Sequence, residues 1–342
     1  MKNPEIDPLH SPITLESVLK LKDLAIQRAF QLVTKYELSR SAEGIAALTY
    51  CLSTGELLRD HIFRIGTVDS SLMEKVDGGT LHNAARAIDI IGDRVGLDVI
   101  TRTLAGHNGS LFIEERKKWL AWGKRNNQIS PIDGNIDPID GTGNIKLGLP
   151  FIASGIMFSQ RDIGFLTGGV VDLTRSGLLF VESTGNNTFN TQLFDFDHRT
   201  YRLTRLHDKL DTPTPNELRI IALPRHINSL YRSELFGKAG FPHIPTFGGN
   251  GLLRLIQGEA EVMFDPGQIW YEAVLWGGIA QAAGLTVTTF RGESIDFNRI
   301  IQNSKQEPEY SLRIPIVISR NEEIHQQFLT ALNQFAPQLV RY

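Results

Sequence analysis

Two aspartates in one short segment are the residues of this sequence best suited to chemistry. Asp137 and Asp140 lie three positions apart and flank Pro138, which fixes the local backbone. The turn Gly141-Thr142-Gly143 follows directly. Carboxylates suit Mg²⁺, which binds carboxylate, water and phosphate oxygens. Backbone N–H groups in a glycine turn before a helix favour phosphate. This segment alone predicts a metal site beside a phosphate-binding turn.

Acidic residues also stand at two further points where the apolar pattern changes. Glu114 and Glu115 end a strand-like run, and the alternation of a strand turns one of them inward. Glu272 opens an apolar helix after Trp270 and Tyr271, where a carboxylate also suits the helix dipole. Taken singly, each position is typical of a surface or capping residue, as Asp-Pro and Asp-Gly are of surface turns.

Other metal and cofactor sites fit these residues less well. An EF-hand loop beginning at Asp133 would need glycine in place of Pro138 and glutamate in place of Asn144. The nine histidines form no His-x-His or His-x-x-x-His pair, so a zinc hydrolase is not indicated. The glycines of Phe247-Gly248-Gly249-Asn250-Gly251 lack the βαβ context of a dinucleotide site, and a tight turn before a helix explains them.

Together the three acidic segments resemble the superfamily of inositol monophosphatases and fructose-1,6-bisphosphatases, which are Mg²⁺-dependent, lithium-sensitive phosphatases. The resemblance runs from about Gly92 to Gly284, and its most specific part is Asp-Pro-Ile-Asp-Gly-Thr beginning at Asp137. It implies an α+β fold, a layered αβαβα sandwich with a mostly antiparallel first sheet and a smaller α/β second domain. It also implies two or three Mg²⁺ ions, a phosphate ester substrate and a homodimer.

The same resemblance implies roles for individual residues. The metal ions would be bound by side chains, and by one backbone carbonyl, of Glu114, Asp137, Ile139, Asp140 and Glu272. The attacking water would be held by Thr142 and one carboxylate, for which the candidates are Asp98, Asp93 and Glu115. The phosphate and the substrate hydroxyls would contact Gly141, Thr142, Gly143, Asp265 and Gly249.

The substrate class depends on which branch the sequence resembles. Tyr271 before Glu272 is similar to the bisphosphatase branch, whereas Phe264-Asp265-Pro266-Gly267 is similar to the inositol branch. No lysine lies between Glu259 and Glu272 to bind a second phosphate, and an uncompensated buried dianion is costly. The sequence therefore favours a monophosphate with several hydroxyls, such as an inositol or sugar phosphate.

Two alternatives stay open. A bisphosphatase acting on fructose 1,6-bisphosphate or a 3′-phosphonucleotide would need arginines at a second anion site, and the candidates are Arg175, Arg225, Arg232 and Arg254. A catalytically silent member used for binding or assembly is the other alternative, because Gly143 replaces a hydroxyl residue usual in the superfamily. Fold alone does not guarantee activity.

The composition of the chain excludes several other classes of protein. The 342 residues are 41% hydrophobic and 21% charged with a net charge of −3, as in ordinary globular proteins. No basic run favours nucleic acid, and no apolar segment is long enough to span a bilayer. Cys51 is the only cysteine, so a reducing cytoplasm is the expected compartment. The residues before Pro12 lack the apolar segment of a secretory signal.

Hydrophobic periodicity predicts the elements that must position these residues. Helices are predicted at 14–33, 43–62 and 81–104, and strands at 110–113, 151–158, 163–171 and 178–181. Strands at 218–223, 260–264 and 285–289 then alternate with helices at 227–238, 251–257 and 271–283. Two prolines mark a boundary between a domain at 1–205, with the metal and phosphate motifs, and one at 206–342, with substrate contacts and one metal ligand.

Overall fold

Three long helices pack together in the first part of the chain that the structure describes. The computed structural model describes residues 15–67, 81–123, 131–141, 144, 150–200, 202–206, 218–222, 242–244, 246–306 and 312–340. The helices are α1 (Leu15–Lys35), α2 (Ala42–Thr67) and α3 (Leu81–Thr103). They confirm the helices predicted from the three- and four-residue spacing of apolar side chains, although α2 continues beyond its predicted end at Ile62.

An eight-stranded sheet follows, in the order β2-β1-β3-β4-β5-β6-β7-β8. Its strands are β1 (Gly109–Ile113), β2 (Lys118–Trp122), β3 (Ile132–Asp140), β4 (Ala153–Gln160), β5 (Gly164–Asp172), β6 (Gly177–Gly185), β7 (Thr188–Asp197) and β8 (Arg202–Leu206). All neighbouring strands are antiparallel except β1 and β3, which are parallel. The carboxyl ends of β1 and β3 therefore lie side by side.

The second half of the described chain builds a smaller sheet between helices. Its strands are β9 (Ile220–Ile221), β10 (His243–Ile244), β11 (Val262–Ile269), β12 (Thr286–Thr288) and β13 (Arg313–Ser319), in the order β10-β9-β11-β13-β12. Its helices are α4 (Gly248–Ile256), α5 (Trp270–Ala282), α6 (Phe297–Gln306), α7 (Glu322–Phe335) and α8 (Pro337–Val340).

Side chains that alternate along the strands separate the apolar cores. On β6, Leu178 and Phe180 pack with α1–α3, whereas Leu179 and Val181 pack with α4 and α5 on the opposite face. On the second sheet, Val317 faces a third core that α7 completes. Helix α5 is apolar on nearly every side because it lies between the two sheets. The layers run α-β-α-β-α, which confirms the predicted fold class.

Several local predictions need correction. No strand was predicted over β3, β7, β8 or β13, and β11 continues past its predicted end at Phe264 to Ile269 through a bulge. The helix predicted at 227–238 lies outside the described residues. The proposed boundary at 206 coincides with the end of β8, and the division into domains stays a prediction. None of the helices in the described part of the chain is long and apolar enough to span a bilayer.

Candidate active site

The parallel pairing of β1 and β3 brings two of the acidic segments together. Ile113 at the end of β1 pairs with Ile136 on β3, so the next residues, Glu114 and Asp137, are neighbours across the strands. Asp137 is only 2% exposed. Helix α3 lies close against the other face of β3, where a Cβ on Gly92 would come within 2.6 Å of the Pro138 Cβ. This close contact fixes the strand that carries Asp137.

The N-terminus of α4 holds the second aspartate. The backbone N–H of Gly249 donates a hydrogen bond of 2.7 Å to Oδ2 of Asp140. Gly248 has a φ of +68°, and a Cβ there would come within 2.5 Å of Oδ1 of Asp140. A glycine is required at Gly248 both for the backbone conformation and for the approach of the carboxylate. Gly248 and Gly249 together hold the carboxylate of Asp140 in place.

The N-terminus of α5 is tied to β1 and β3. The Tyr271 hydroxyl donates a hydrogen bond of 3.3 Å to Oε1 of Glu114, and its ring stacks on Phe112 with centroids 5.1 Å apart. Asn135 on β3 donates from Nδ2 to the carbonyl of Tyr271 at 2.7 Å. Because these contacts fix the first turn of α5, they also fix Glu272, the next residue.

The resulting cluster, the acidic group, comprises Glu114, Asp137, Asp140 and Glu272. Burial raises the pKa of Asp137 well above its ordinary value, and the charges of the other three members raise it further. Burial raises the pKa of Asp140 to about 7, even though the N–H groups of Gly249 and Asn250 oppose the shift. Carboxylates are thus concentrated around a buried aspartate, where water screens their charges only in part, a setting that favours a bound cation.

The residues of the acidic group fit a Mg²⁺ site in their chemistry. All their donors are oxygens, as Mg²⁺ prefers, and Oδ1 of Asp137 is buried without a hydrogen-bond partner among the described residues. Among the side chains that the structure describes, no three of the His, Cys, Asp and Glu types meet closely enough to form a complete metal cage. Mg²⁺ retains several waters and needs only one or two protein carboxylates beside the substrate phosphate.

The comparisons with known proteins concern structure rather than sequence. No family model and no curated protein matches the sequence. The extragenic suppressor protein SuhB from Bartonella henselae is 13% identical, with a TM-score of 0.54 over 86% of this chain and 100% of that chain. An inositol monophosphatase from Zymomonas mobilis is 12% identical, with a TM-score of 0.53 over 83% and 96%. Inositol monophosphatase II from Staphylococcus aureus is 14% identical, with a TM-score of 0.52 over 85% and 95%.

The chain has the inositol monophosphatase fold. At these identities the likeness establishes the architecture, and any activity must be argued from the residues themselves.

Within this inositol monophosphatase fold, the candidates for orienting a water lie on different sides of α3. Asp93 is 3% exposed and lies near Arg116, whose Nε is 3.4 Å from Oδ2 of Asp93. Burial raises the pKa of the Tyr50 hydroxyl, and the charges of Asp93 and Asp137 raise it further, so both carboxylates lie near this hydroxyl. Asp98 instead forms an ion pair with Lys22 on α1. Five residues turn a helix by about 140°, so the two aspartates cannot face the same site.

Of the remaining predicted site residues, the structure describes some and leaves others outside the described residues. Thr142 and Gly143 lie outside the described residues, as does the side chain of Glu115. Ile139 is buried on β3. Gly141 directly follows β3, and its carbonyl accepts from the N–H of Asn144 at 2.7 Å. Asp265 is buried on β11, where its Oδ1 accepts from the N–H of Gly267 at 2.8 Å.

Sequence reasoning missed three residues that position the acidic group: Tyr271, Asn135 and Gly248. Tyr271 and Gly248 were noted only as neighbours of other residues, and their partners Glu114 and Asp140 are distant in sequence. For Asn135, an available signal was its place two residues before Asp137, which puts both on one face of a strand.

A substitution of Gly248 tests whether the start of α4 positions Asp140. If the acidic group is the catalytic centre of a phosphatase, we expect Gly248→Ala to slow phosphate release by about 10²-fold, because the added Cβ displaces the carboxylate and small misplacements cost this much. The control is Gly284→Ala, where φ is +87° but no atom lies near the added Cβ. Equal effects of the two changes on phosphate release would show that backbone strain, not contact with Asp140, is responsible.

Proposed function

We propose that this chain is a Mg²⁺-dependent phosphomonoesterase of the inositol monophosphatase superfamily. The observation that carries the proposal is that four carboxylates, from the end of β1, from β3 and from α5, interact with one another around the buried Asp137 in an inositol monophosphatase fold. Structural packing does not account for such a cluster, since buried like charges raise one another's pKa and destabilise the fold. A bound cation offsets that cost.

The residues of the acidic group would hold the metal. Glu114, Asp137 and Asp140, with the carbonyl of Ile139, would form one site, and Glu272 would complete a second. When bound, Mg²⁺ polarises the phosphoryl oxygens and lowers the pKa of a coordinated water. The turn from Gly141 to Gly143 would bind the phosphate through its N–H groups. Thr142 would help to hold the attacking water.

Asp93 is the better placed carboxylate to orient that water. Its burial and its position on the β3 side of α3 support this assignment, while the ion pair of Asp98 with Lys22 argues against the alternative. Glu115 stays a third candidate. We further propose that Asp265 and Gly249 contact the substrate.

The substrate we propose is a monophosphate with several hydroxyls, such as an inositol or sugar phosphate. A second phosphate would need free cations, yet Arg175 and Arg254 both pair with Glu259, at 2.9 and 2.5 Å. Arg225 and Arg232 lie outside the described residues. These ion pairs favour a monophosphatase over a bisphosphatase. We also propose a cytoplasmic homodimer whose partner is this small molecule, rather than nucleic acid or a membrane.

The test is release of inorganic phosphate from a substrate panel. The panel contains inositol 1-phosphate, hexose monophosphates, histidinol phosphate, fructose 1,6-bisphosphate and adenosine 3′,5′-bisphosphate, each with Mg²⁺ and with a chelator. We expect Mg²⁺-dependent release from one or more monophosphates. Preference for a bisphosphate would overturn the substrate assignment. Absence of release from every compound by a folded protein would overturn the enzymatic proposal and favour a silent member.

A further inference from the structure

A large cleft lies at the opposite end of the first sheet from the acidic group. Its volume is about 1430 Å³, and it is lined by the turn between α1 and α2 and by β6, β7 and β8. Three exposed arginines line it: Arg40, Arg202 and Arg205. None of the three forms an ion pair with any residue that the structure describes. Positive charge is therefore available to a ligand here.

The cleft is separate from the candidate active site. The acidic group involves β1 and β3, whereas the cleft begins at β6, three strands further along the sheet. Neighbouring strands lie about 4.8 Å apart, so β3 and β6 are separated by about 14 Å. A ligand in the cleft would not contact the acidic group.

One of the two carboxylates that line the cleft is held by hydroxyl groups. Glu182 accepts hydrogen bonds from the hydroxyls of Ser39 and Ser41, at 2.6 and 2.5 Å, in the turn before α2. Glu37 is the other acidic residue of the cleft, against three arginines. The lining therefore carries a net positive charge, although the whole chain carries −3.

An amide side chain also lines the cleft. Gln192 on β7 is only 9% exposed and is one of the lining residues. Its amide group offers both a donor and an acceptor to a ligand. Its position beside the arginines suits an oxygen-rich ligand.

The positive lining continues into an adjoining cleft. This second cleft of about 500 Å³ shares Tyr36 and Thr200 with the first and adds Lys35 and Arg199. Such an extended row of cations matches a ligand with separated anionic groups better than a single anion. Guanidinium groups pair bidentately with phosphate, which favours phosphate as the anionic group.

We propose that this cleft binds a small molecule that carries two or more phosphate groups. The probe is inorganic tripolyphosphate, titrated by calorimetry into the full-length protein with a chelator present. Without a metal the acidic group repels polyanions, so binding reports on the cleft. We expect saturable binding that weakens as KCl is raised and is at least about tenfold tighter than that of inorganic phosphate.

Substitutions of residues that line the cleft test whether tripolyphosphate binds there. Arg202→Ala and Arg205→Ala should each weaken tripolyphosphate binding by about tenfold, because each removes charge-assisted hydrogen bonds. Gln192→Leu should weaken it by a smaller factor that does not change with KCl. Arg299→Ala, an exposed arginine on α6, is the matched control and should bind as the parent protein does. Melting temperatures of all variants verify folding.

Three outcomes would overturn the proposal. They are no saturable binding by the parent protein, equal binding by Arg205→Ala and Arg299→Ala, and binding of an acidic peptide in place of tripolyphosphate. The last outcome would identify the cleft as a protein-docking surface.

Discussion

Asp137→Asn is expected to leave a folded protein that releases phosphate about 10³-fold more slowly than the parent. Asparagine has nearly the same shape, so the packing of β3 against α3 is retained. It lacks the negative charge at the centre of the acidic group, where Asp137 interacts with Glu114, Asp140 and Glu272. A weakened metal site would stabilise the transition state less. A loss of several kcal/mol of this stabilisation corresponds to a rate about 10³-fold lower.

The measurement is phosphate release at saturating Mg²⁺ with the best substrate of the panel. Asp162→Asn, which removes a carboxylate from the exposed turn between β4 and β5, is the matched control and should retain the parent rate. A rate for Asp137→Asn within a few-fold of the parent would exclude the acidic group as the catalytic centre. Isothermal titration with Mg²⁺ provides a second readout, since the variant should bind the ion more weakly.

The same substitution is expected to stabilise the protein when no metal is bound. The folded-state pKa of Asp140 is about 7 and that of Asp137 is also raised, whereas an unfolded aspartate titrates near 3.9. Below about pH 4 both states hold the protons, so the groups contribute nothing. Above that pH the unfolded state releases them first, and the free energy of unfolding falls as pH rises towards about 7.

Thermal and urea unfolding in the presence of a chelator, from pH 4 to pH 8, measures this effect. At pH 7.5 we expect Asp137→Asn to be more stable than the parent by about 1–3 kcal/mol, and the difference should vanish near pH 4. Mg²⁺ should stabilise the parent and reduce the difference. If the variant is less stable than the metal-free parent at pH 7.5, the carboxylates of the acidic group do not destabilise one another, and this account of the acidic group would have to be abandoned.

Some elements were predictable because their local pattern and their tertiary environment agree. The apolar stripes of α1 and α3 face one core, so periodicity alone located both helices. The layered fold followed from the resemblance that the acidic segments carry. Helix α5 was located because an unbroken apolar run follows Glu272, which is what burial between two sheets requires.

Other features depend on contacts that no local pattern encodes. Strand β3 contains Pro138 and a polar row of Asp133, Asn135 and Asp137, which is unusual for a buried strand. Part of its polar face is satisfied by distant groups, as where Gln302 on α6 donates to Asp133 at 3.1 Å. Strand β7 is equally difficult to predict from the sequence, because half of it is exposed and polar.

The choice between Asp93 and Asp98 shows the same limit within the site. Both aspartates lie on one helix in a similar local sequence, and only the packing of α3 between α1 and β3 distinguishes them. The contact of Gly248 with Asp140 likewise joins segments that are far apart in the chain.

The dependence of the acidic group on α5 has a consequence for biosynthesis. Glu114, Asp137 and Asp140 belong to the first sheet, but Glu272 and the tyrosine that holds Glu114 belong to the helix between the sheets. On the ribosome, a chain that has emerged only as far as β8 lacks both. If the acidic group binds Mg²⁺ as proposed, all four carboxylates could not hold the ion during synthesis of the first sheet, and the nascent chain would gain its full metal affinity only after α5 has docked.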